Sequence, residues 1–486
     1  MFRDRSDLLA DTEPMRGYGV SVTPGRNGPI LFVAGYGESN RLYVREDDGS
    51  KPAFVDTACG IVADGNRHAM GVCAADIDGD GCEEIYVHNC ASYAGTTAEP
   101  DLLLDRLESE RYRWTDVFTL PVNADRLNFR AGRSVAAIDR LGTGRYGVAV
   151  ASYGAPLAFY ELGDDGEVSD MAPTIGLDVE GGCRSLLPGP LCSAAGVDLL
   201  VGVERGPNRL FENRDGHYAE VTASDDLADP AGDARGVALV DEGESFALVI
   251  GNWEGESRLC RRPSGSDRFV DAAPPALASA GGVRSVVAAD FDNDGRQEIL
   301  CNSLGEPNRL FVRADGNGRP KGGGTVRDAS GSAAAPEWQH VDAGSATERD
   351  DLGTGAIAAD IDGDGVLELV VVHGEIGTQP ITVHAVPGAA ENGWLRIRPT
   401  TVQGAPARGA LVTLTTEAGR QQRVIDAGSG YLCQTEPVAH FGLGGSTPQR
   451  VRVRWPDGRE RTLAHPEPNT EQTVPHPTAA EPECRS

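Results

Sequence analysis

Three nine-residue stretches space their carboxylates alike. They are Asp76-Ile77-Asp78-Gly79-Asp80-Gly81-Cys82-Glu83-Glu84, Asp290-Phe291-Asp292-Asn293-Asp294-Gly295-Arg296-Gln297-Glu298 and Asp360-Ile361-Asp362-Gly363-Asp364-Gly365-Val366-Leu367-Glu368. Each has acids at positions 1, 3, 5 and 9 and glycine at 6. A chain that turns sharply at that glycine can point the first three carboxylates inward. The backbone carbonyl of position 7 and the glutamate at 9 then close a cage of oxygens. A flexible oxygen cage suits calcium, whereas magnesium demands tighter octahedral geometry. The motif is not a helix-flanked calcium loop: position 12 is Val87, Cys301 or Val371, and both flanks read as strands. The expected calcium ligands are Asp76, Asp78, Asp80, Cys82 and Glu84; Asp290, Asp292, Asp294, Arg296 and Glu298; and Asp360, Asp362, Asp364, Val366 and Glu368. The bland alternative is a set of solvated turns in an aspartate-rich protein.

The loops recur in register with a longer repeat. An apolar strand precedes each, such as Gly71-Val72-Cys73-Ala74-Ala75, and a second follows, such as Glu84-Ile85-Tyr86-Val87. A third strand carries Asn-Arg-Leu-aromatic, at Asn40-Arg41-Leu42-Tyr43, Asn208-Arg209-Leu210-Phe211 and Asn308-Arg309-Leu310-Phe311. A fourth places an aromatic or histidine two residues before an acid, as in Phe54/Asp56, Trp114/Asp116 and His340/Asp342. Seven such units of about 50 residues predict an all-β, seven-bladed β-propeller. The last unit lacks a fourth strand after Ile381-Thr382-Val383-His384-Ala385-Val386. Phe2-Arg3-Asp4 matches Phe54-Val55-Asp56 in type and in spacing to the next repeat, so the N-terminal segment is expected to close blade seven. That role argues against a cleaved leader. The loop is worn at Asp139-Arg140-Leu141-Gly142, Pro188-Gly189-Pro190 and Asp241-Glu242-Gly243-Glu244. Calcium is therefore expected to be structural and confined to blades two, six and seven.

A second set of residues falls six positions before the loops. Blades three to six place Arg133, Arg184, Arg235 and Arg284 there, while blades two and seven place Met70 and Thr354. At the start of inner strands these arginines would form an arc at one channel mouth, opposite the calcium loops. Loops opening on the same face add Tyr36 and Trp253, with Glu38, Asn89, Tyr153, Glu254, Asn302, Glu306 and His373. Guanidinium forks grip carboxylates and phosphates, so the mouth points to a small anionic or sugar-like ligand. The alternative is that each arginine pairs with a neighbouring acid and staples blades together.

The 486 residues carry a formal charge of -29. Of 44 basic residues only Lys51 and Lys321 are lysine. An acidic, lysine-poor surface suits high salt, which screens self-repulsion, and suggests a halophilic source. It excludes nucleic acid and anionic membrane surfaces as partners of the whole chain. No apolar run is long enough to span a bilayer, and the N-terminus lacks the apolar core of a signal peptide. The ten cysteines show no Cys-x-x-Cys pair and read as buried thiols. From residue 392 to 465 the balance inverts, with ten arginines against five acids. This basic unit is expected to dock on the acidic propeller across the short connection Val386-Pro387-Gly388-Ala389-Ala390-Glu391. The Pro/Glu-rich tail from 466 to 486 and the Gly/Ala/Ser-rich insert at 316–335 are expected to be disordered.

The repeats resemble the FG-GAP/VCBS type of integrin-like propellers. Gly393-Trp394-Leu395-Arg396-Ile397, Gly428-Ser429-Gly430-Tyr431-Leu432-Cys433-Gln434, His440-Phe441-Gly442-Leu443-Gly444 and Val453-Arg454-Trp455-Pro456-Asp457-Gly458 resemble the ASPIC/UnbV domain. Propeller followed by ASPIC/UnbV is the layout of the cartilage acidic protein 1 family. The resemblance implies a propeller over 1–388, a small β-sandwich-like domain over 392–465, calcium binding, and a role in binding rather than a defined reaction. It also implies export, against the missing signal, which reads as cytoplasmic. The expected function is a calcium-stabilised, non-catalytic scaffold whose partner is a protein, glycan or small anion, held at the mouth or on the basic domain. The alternative is an enzyme or a biosynthetic-complex component using the mouth. No Ser/His/Asp or Cys/His spacing favours it, and Gly428-Ser429-Gly430 lacks the full nucleophile-elbow pattern.

Overall fold

A computed structural model describes residues 1–46, 53–106, 113–192, 196–221, 225–266, 268–314, 337–349 and 352–479. The 316–335 insert and the last residues of the tail lie outside the described residues. Seven antiparallel four-stranded units follow one another along the chain. The units of blades three and four are joined where Tyr153 pairs with Gly182 and Pro156 with Glu180. The first strand of each unit touches the first strands of the units before and after it, and the last of these, Gly353–Ala359, touches the first, Gly17–Gly25. The sheets therefore stand around a closed ring, the architecture of a β-propeller.

The ring closes through the N-terminus. Arg3 pairs with Ala385 and Asp4 with His384, so Arg3–Asp4 becomes the outer strand of the unit built from Gly353–Ala359, Glu368–His373 and Thr382–Ala385. Phe2 is buried and meets the ring of Phe291 edge-on, with centroids 5.0 Å apart.

The recurring motifs are explained by backbone groups that must be satisfied. In the third strands the motif asparagine is buried. Asn40 accepts from Gly35 N at 2.8 Å and donates to Val62 O at 3.0 Å; Asn208 and Asn308 repeat both bonds in their own blades. In the fourth strands the acid accepts from a third-strand amide and from the amide two residues on. Asp116 does so with Leu103 N and Phe118 N, and Asp271 with Leu259 N and Ala273 N. Six of the described cysteines are buried, and none of the described cysteines is bridged.

The C-terminal unit is a two-layer β structure. Three strands, ordered Ala439–Gly442, Trp394–Thr400 and Glu471–Pro475, face four, ordered Arg420–Val424, Leu411–Thr416, Pro448–Arg454 and Glu460–Ala464. Leu395, Ile397, Val412, Leu414, Phe441, Val451, Val453 and Trp455 fill the space between them. One expectation needs correction here. Residues 471–475 are not a disordered tail: they pair in parallel with Trp394–Thr400, and Val474 is buried in the same core. Glu471 ties the strand down through Arg396 at 3.0 Å and Arg398 at 2.6 Å. The domain therefore continues past residue 465.

Candidate functional site

Each inner strand enters at the mouth and leaves at a loop. In blade six, Val283–Ala289 begins beside Arg284 and ends at Asp290. At about 3.3 Å per residue the two ends lie roughly 20 Å apart, so arginines and acidic loops occupy opposite faces.

In the three acidic loops, position 6 is left-handed, with φ of +94° at Gly81, +96° at Gly295 and +83° at Gly365. The first aspartate stitches the turn together: Asp76 accepts from Gly79 N and Gly81 N, Asp360 from Gly363 N and Gly365 N, and Asp290 from Gly295 N. The aspartate at 5 accepts from the amide at 7 in every loop. The glutamate at 9 turns one oxygen to the amide at 2, from Glu84 to Ile77, Glu298 to Phe291 and Glu368 to Ile361.

Ligand atoms of Asp76, Asp78 and Glu84 converge within 4.8 Å of one another, as do those of Asp360, Asp362 and Glu368. Blade six brings together Asp290, Asp292 and Asp294 instead. Asp80, Asp364 and Glu298 stand outside these groups of converging oxygens.

In each loop one carboxylate oxygen is buried without a hydrogen-bond partner: Glu84 Oε1, Asp290 Oδ1 and Glu368 Oε1. Burial first, and repulsion between neighbouring carboxylates next, push these groups up. Asp76 and Asp360 rise to about 7 and Glu84 to about 9, and Glu298 and Glu368 go well above the usual carboxylate range. Buried acids that face one another and leave lone pairs idle are the donor set of a hard cation. The residues present fit one, and such an ion would neutralise the cluster and cross-link the turn.

The same loops seat the C-terminal domain. Arg408 is fully buried and grips Glu83, next to Glu84, with bonds of 2.6 and 3.0 Å. Gly442 N donates to Asp290 Oδ2 at 3.0 Å, and a Cβ on Gly442 would collide with the Asn293 backbone at 2.3 Å. Arg396 lies 3.5 Å from Asp360 and pairs twice with Glu436 at 2.8 Å. In worn blade five Arg423 reaches Asp241 at 3.0 Å, and it also lies 3.8 Å from Asp290 of blade six.

From this seat the segment 427–435 runs into the central channel and bonds to inner strands of five blades. Gln434 N donates to Val20 O, Val72 N to Leu432 O, Leu432 N to Ser134 Oγ, Gly430 N to Val237 O, and Thr435 Oγ1 to Ala358 O. Glycines let it approach closely: a Cβ on Gly19 would collide with Leu432 O at 2.4 Å and one on Gly355 with Cys433 Sγ at 2.8 Å.

The segment carries Tyr431 up beneath the arginine arc. Its hydroxyl lies 3.5 Å from Arg235 Nη1. Burial pushes this phenol up, but Arg235, Arg184, Arg284 and Arg133 together outweigh it and leave it at about 8. The four arginines are buried, and with Tyr36 and Trp253 they line a cavity of about 400 Å³.

Three of the four arginines pair with acids, and two of them, Arg235 through Glu204 and Arg284 through Glu375, do so across blades. Arg184 pairs with Glu204; Arg235 reaches Glu204 at 3.2 Å and Asp233 at 3.1 Å; Arg284 reaches Glu375 at 2.9 Å. Tyr93 and Tyr18 donate to Glu204 and Glu375 at 2.5 and 3.0 Å. Burial would raise Glu204, but Tyr93 and the two guanidiniums hold it below the usual range. Glu204, Asp233, Tyr18, Tyr93 and Tyr431 are not among the residues that the sequence places at the mouth, and Glu375 enters there only as a candidate acid–base partner of His373. Glu204 and Glu375 sit just past second strands, the position that also supplied Trp253 and Glu254. Tyr431 left no such trace, because nothing in its own segment marks it as a channel plug.

Comparison with known proteins agrees with this architecture. The model for the FG-GAP-like repeat matches residues 248–301, and that for ASPIC and UnbV matches residues 401–481, a span that includes the strand Glu471–Pro475. Cartilage acidic protein 1 of Homo sapiens is 37% identical over 96% of this chain and 73% of its own length. The Xenopus tropicalis protein is 36% identical over 94% and 71%, and that of Mus musculus 36% over 96% and 75%. Among solved structures, BBS1N in complex with ARL6DN aligns at a TM-score of 0.42 and 9% identity, covering 78% of this chain and 99% of that one, too slight a likeness to argue from. Among the described residues no helix is long and apolar enough to cross a membrane. By its sequence identity and coverage, the chain belongs to the cartilage acidic protein 1 family.

Proposed function

We propose that this protein is a calcium-binding, non-catalytic interaction scaffold. Calcium in the loops of blades two, six and seven locks the C-terminal domain onto the ring, and the opposite mouth takes a ligand. The observation that carries the reading is the idle buried oxygen in each acidic loop, on Glu84, Asp290 and Glu368. Arginines of the docked domain already reach or flank these loops, yet those oxygens stay unanswered. A divalent ion supplies what the guanidiniums leave out. The scaffold divides into a propeller through residue 388 and a C-terminal unit that starts at 392.

Thermal unfolding of the full chain with calcium and with excess chelator tests the metal part. Calcium is expected to raise the melting temperature by several degrees, through preferential binding to the folded state. Identical melts would sink it. The arginine-for-lysine surface extends the reading to a high-salt setting, where the unfolding midpoint is expected to rise with added potassium chloride; a midpoint that falls would contradict that extension.

A further inference from the structure

We propose that the mouth binds a sugar bearing a single carboxylate, the ring lying on the rim aromatics and the carboxylate reaching Arg133. This rests on the reading of the mouth as a ligand face and names the class of ligand. The charges of the lining supply the argument. Arg184, Arg235 and Arg284 are answered by Glu204, Asp233 and Glu375. Arg133 is only 7% exposed, yet among the described residues it meets no carboxylate. Its Nη1 donates to Gly132 O at 2.6 Å and to Ser92 O and Cys90 Sγ at 3.4 Å, and its Nη2 to Tyr93 O at 3.4 Å. Against its burial, His88 and Arg133 draw Cys90 down to about 7, and with the carbonyl dipoles it answers one edge of this guanidinium, all but Gly132 O at 3.4 Å, less well than a carboxylate in the fork does. A carboxylate matches the guanidinium fork.

Five arginines, Arg205 among them, and four acids line the cavity, and this excess of one cation sets the ligand's charge. With the other buried arginines paired, a dianion such as phosphate would set its second charge against Glu204, Asp233 and Glu375. The rim sets the rest of the ligand. Trp253 and Tyr36 are half-buried and Tyr93 is 58% exposed. Arg284 stacks on Trp253 at 4.6 Å, and Arg184 lies 5.0 Å from Tyr93 and 4.4 Å from Tyr153, so the rings are held in place. Ser92, Arg205 and Glu254 stand among these rings on the lining. Rings interleaved with polar groups suit a pyranose, which has an apolar C–H face and hydroxyls at its edge, better than a wholly apolar acid. The cavity, about 400 Å³, is of the size that small-molecule sites have.

Isothermal titration of the calcium-loaded full chain with glucuronate, glucose, acetate and inorganic phosphate tests this. Glucuronate is expected to bind saturably, and each of the other three roughly tenfold or more weakly. Arg133→Gln is expected to weaken glucuronate by a similar roughly tenfold factor, and Trp253→Leu to weaken it as well. Absence of glucuronate binding overturns the proposal, and so does glucose, acetate or phosphate binding as tightly. Unchanged affinity in a folded Arg133→Gln variant also overturns it. Should that variant melt early, Trp253→Leu decides: weakened glucuronate supports the site and unchanged affinity overturns it. Calcium-dependent melting without glucuronate binding defeats this inference alone. Glucuronate binding with calcium-independent melting defeats the metal reading alone.

Discussion

Two glutamates on the mouth face of the ring are held down where the acids of the loop face are pushed up. On the loop face Asp76, Asp360 and Glu84 are pushed up, to about 7, 7 and 9. On the mouth face Glu204 is held down, and Glu348 falls to about 2 because His373 and His384 donate to it and outweigh its burial. Asp233 goes the other way, its burial outweighing Arg235. Both faces hold buried acids. The difference is what the acids look at: arginine and histidine at the mouth, one another in the loops. One face has spent most of its cations on its own anions, while the other still lacks cations after a basic domain has docked on it.

The sharpest way to break this comparison is to remove a cation that the loop face does have. Arg408→Met leaves Glu83 buried and alone, and removes the bonds from Arg408 to Val22 O and Asp426 O, both 2.8 Å. It is expected to cost about 3–5 kcal/mol in urea unfolding at fixed calcium. A loss under about 1 kcal/mol would mean that the docked domain does little for the ring.

At the mouth, Glu348 is the corresponding anion. Its Oε1 takes Nε2 of His384 at 3.0 Å and its Oε2 takes Nε2 of His373 at 3.2 Å. Its folded value lies below the unfolded one, so its stabilisation is present above about pH 4.5 and is lost as pH falls towards 2. Glu348→Gln is expected to destabilise by roughly 3 kcal/mol at neutral pH, with the gap to the wild type closing below about pH 4.5. A gap constant down to pH 2.5 would contradict the pairing.

Tyr431 reads the field of the arginine arc directly. Its depressed value means that stability grows as pH rises through about 8 and is fully gained above about 10. Ultraviolet titration should show one tyrosine ionising near pH 8, and Tyr431→Phe should remove that step. A first ionisation no earlier than about pH 10, the ordinary tyrosine value, would mean that the paired acids have cancelled the arc. The smallest effect belongs to a pair on neither face: Arg209 grips Glu220 at 2.8 and 2.5 Å, but Glu220 is 45% exposed. Arg209→Ala is expected to change stability by less than about 1 kcal/mol.

The two faces were not equally legible in the chain. The acidic loops and the ring closure are local patterns, a run of spaced carboxylates and a misplaced strand motif, and both could be read directly. The arginine arc could also be read, because it sits at a fixed distance from those loops. Its pairings could not, since nothing in the chain says which acid past a second strand meets which arginine. The strand Glu471–Pro475 hides in a proline- and glutamate-rich stretch, and its partner lies 75 residues earlier, at Arg396↔Glu471. Charge balance pointed to docking of the C-terminal domain. The choice of the loop face, and the threading of Tyr431 through the channel, rest on shape that no periodicity records.

The central claim is that the acidic loops hold cations that fasten the C-terminal domain to the propeller. Equilibrium dialysis of the chelator-stripped chain against radioactive calcium tests it most directly, with wild type beside Glu84→Gln, Asp290→Asn and Glu368→Gln. The account predicts one ion per acidic loop, with one ion lost in each variant. Uptake that is absent, or equal in the wild type and all three variants, would contradict it.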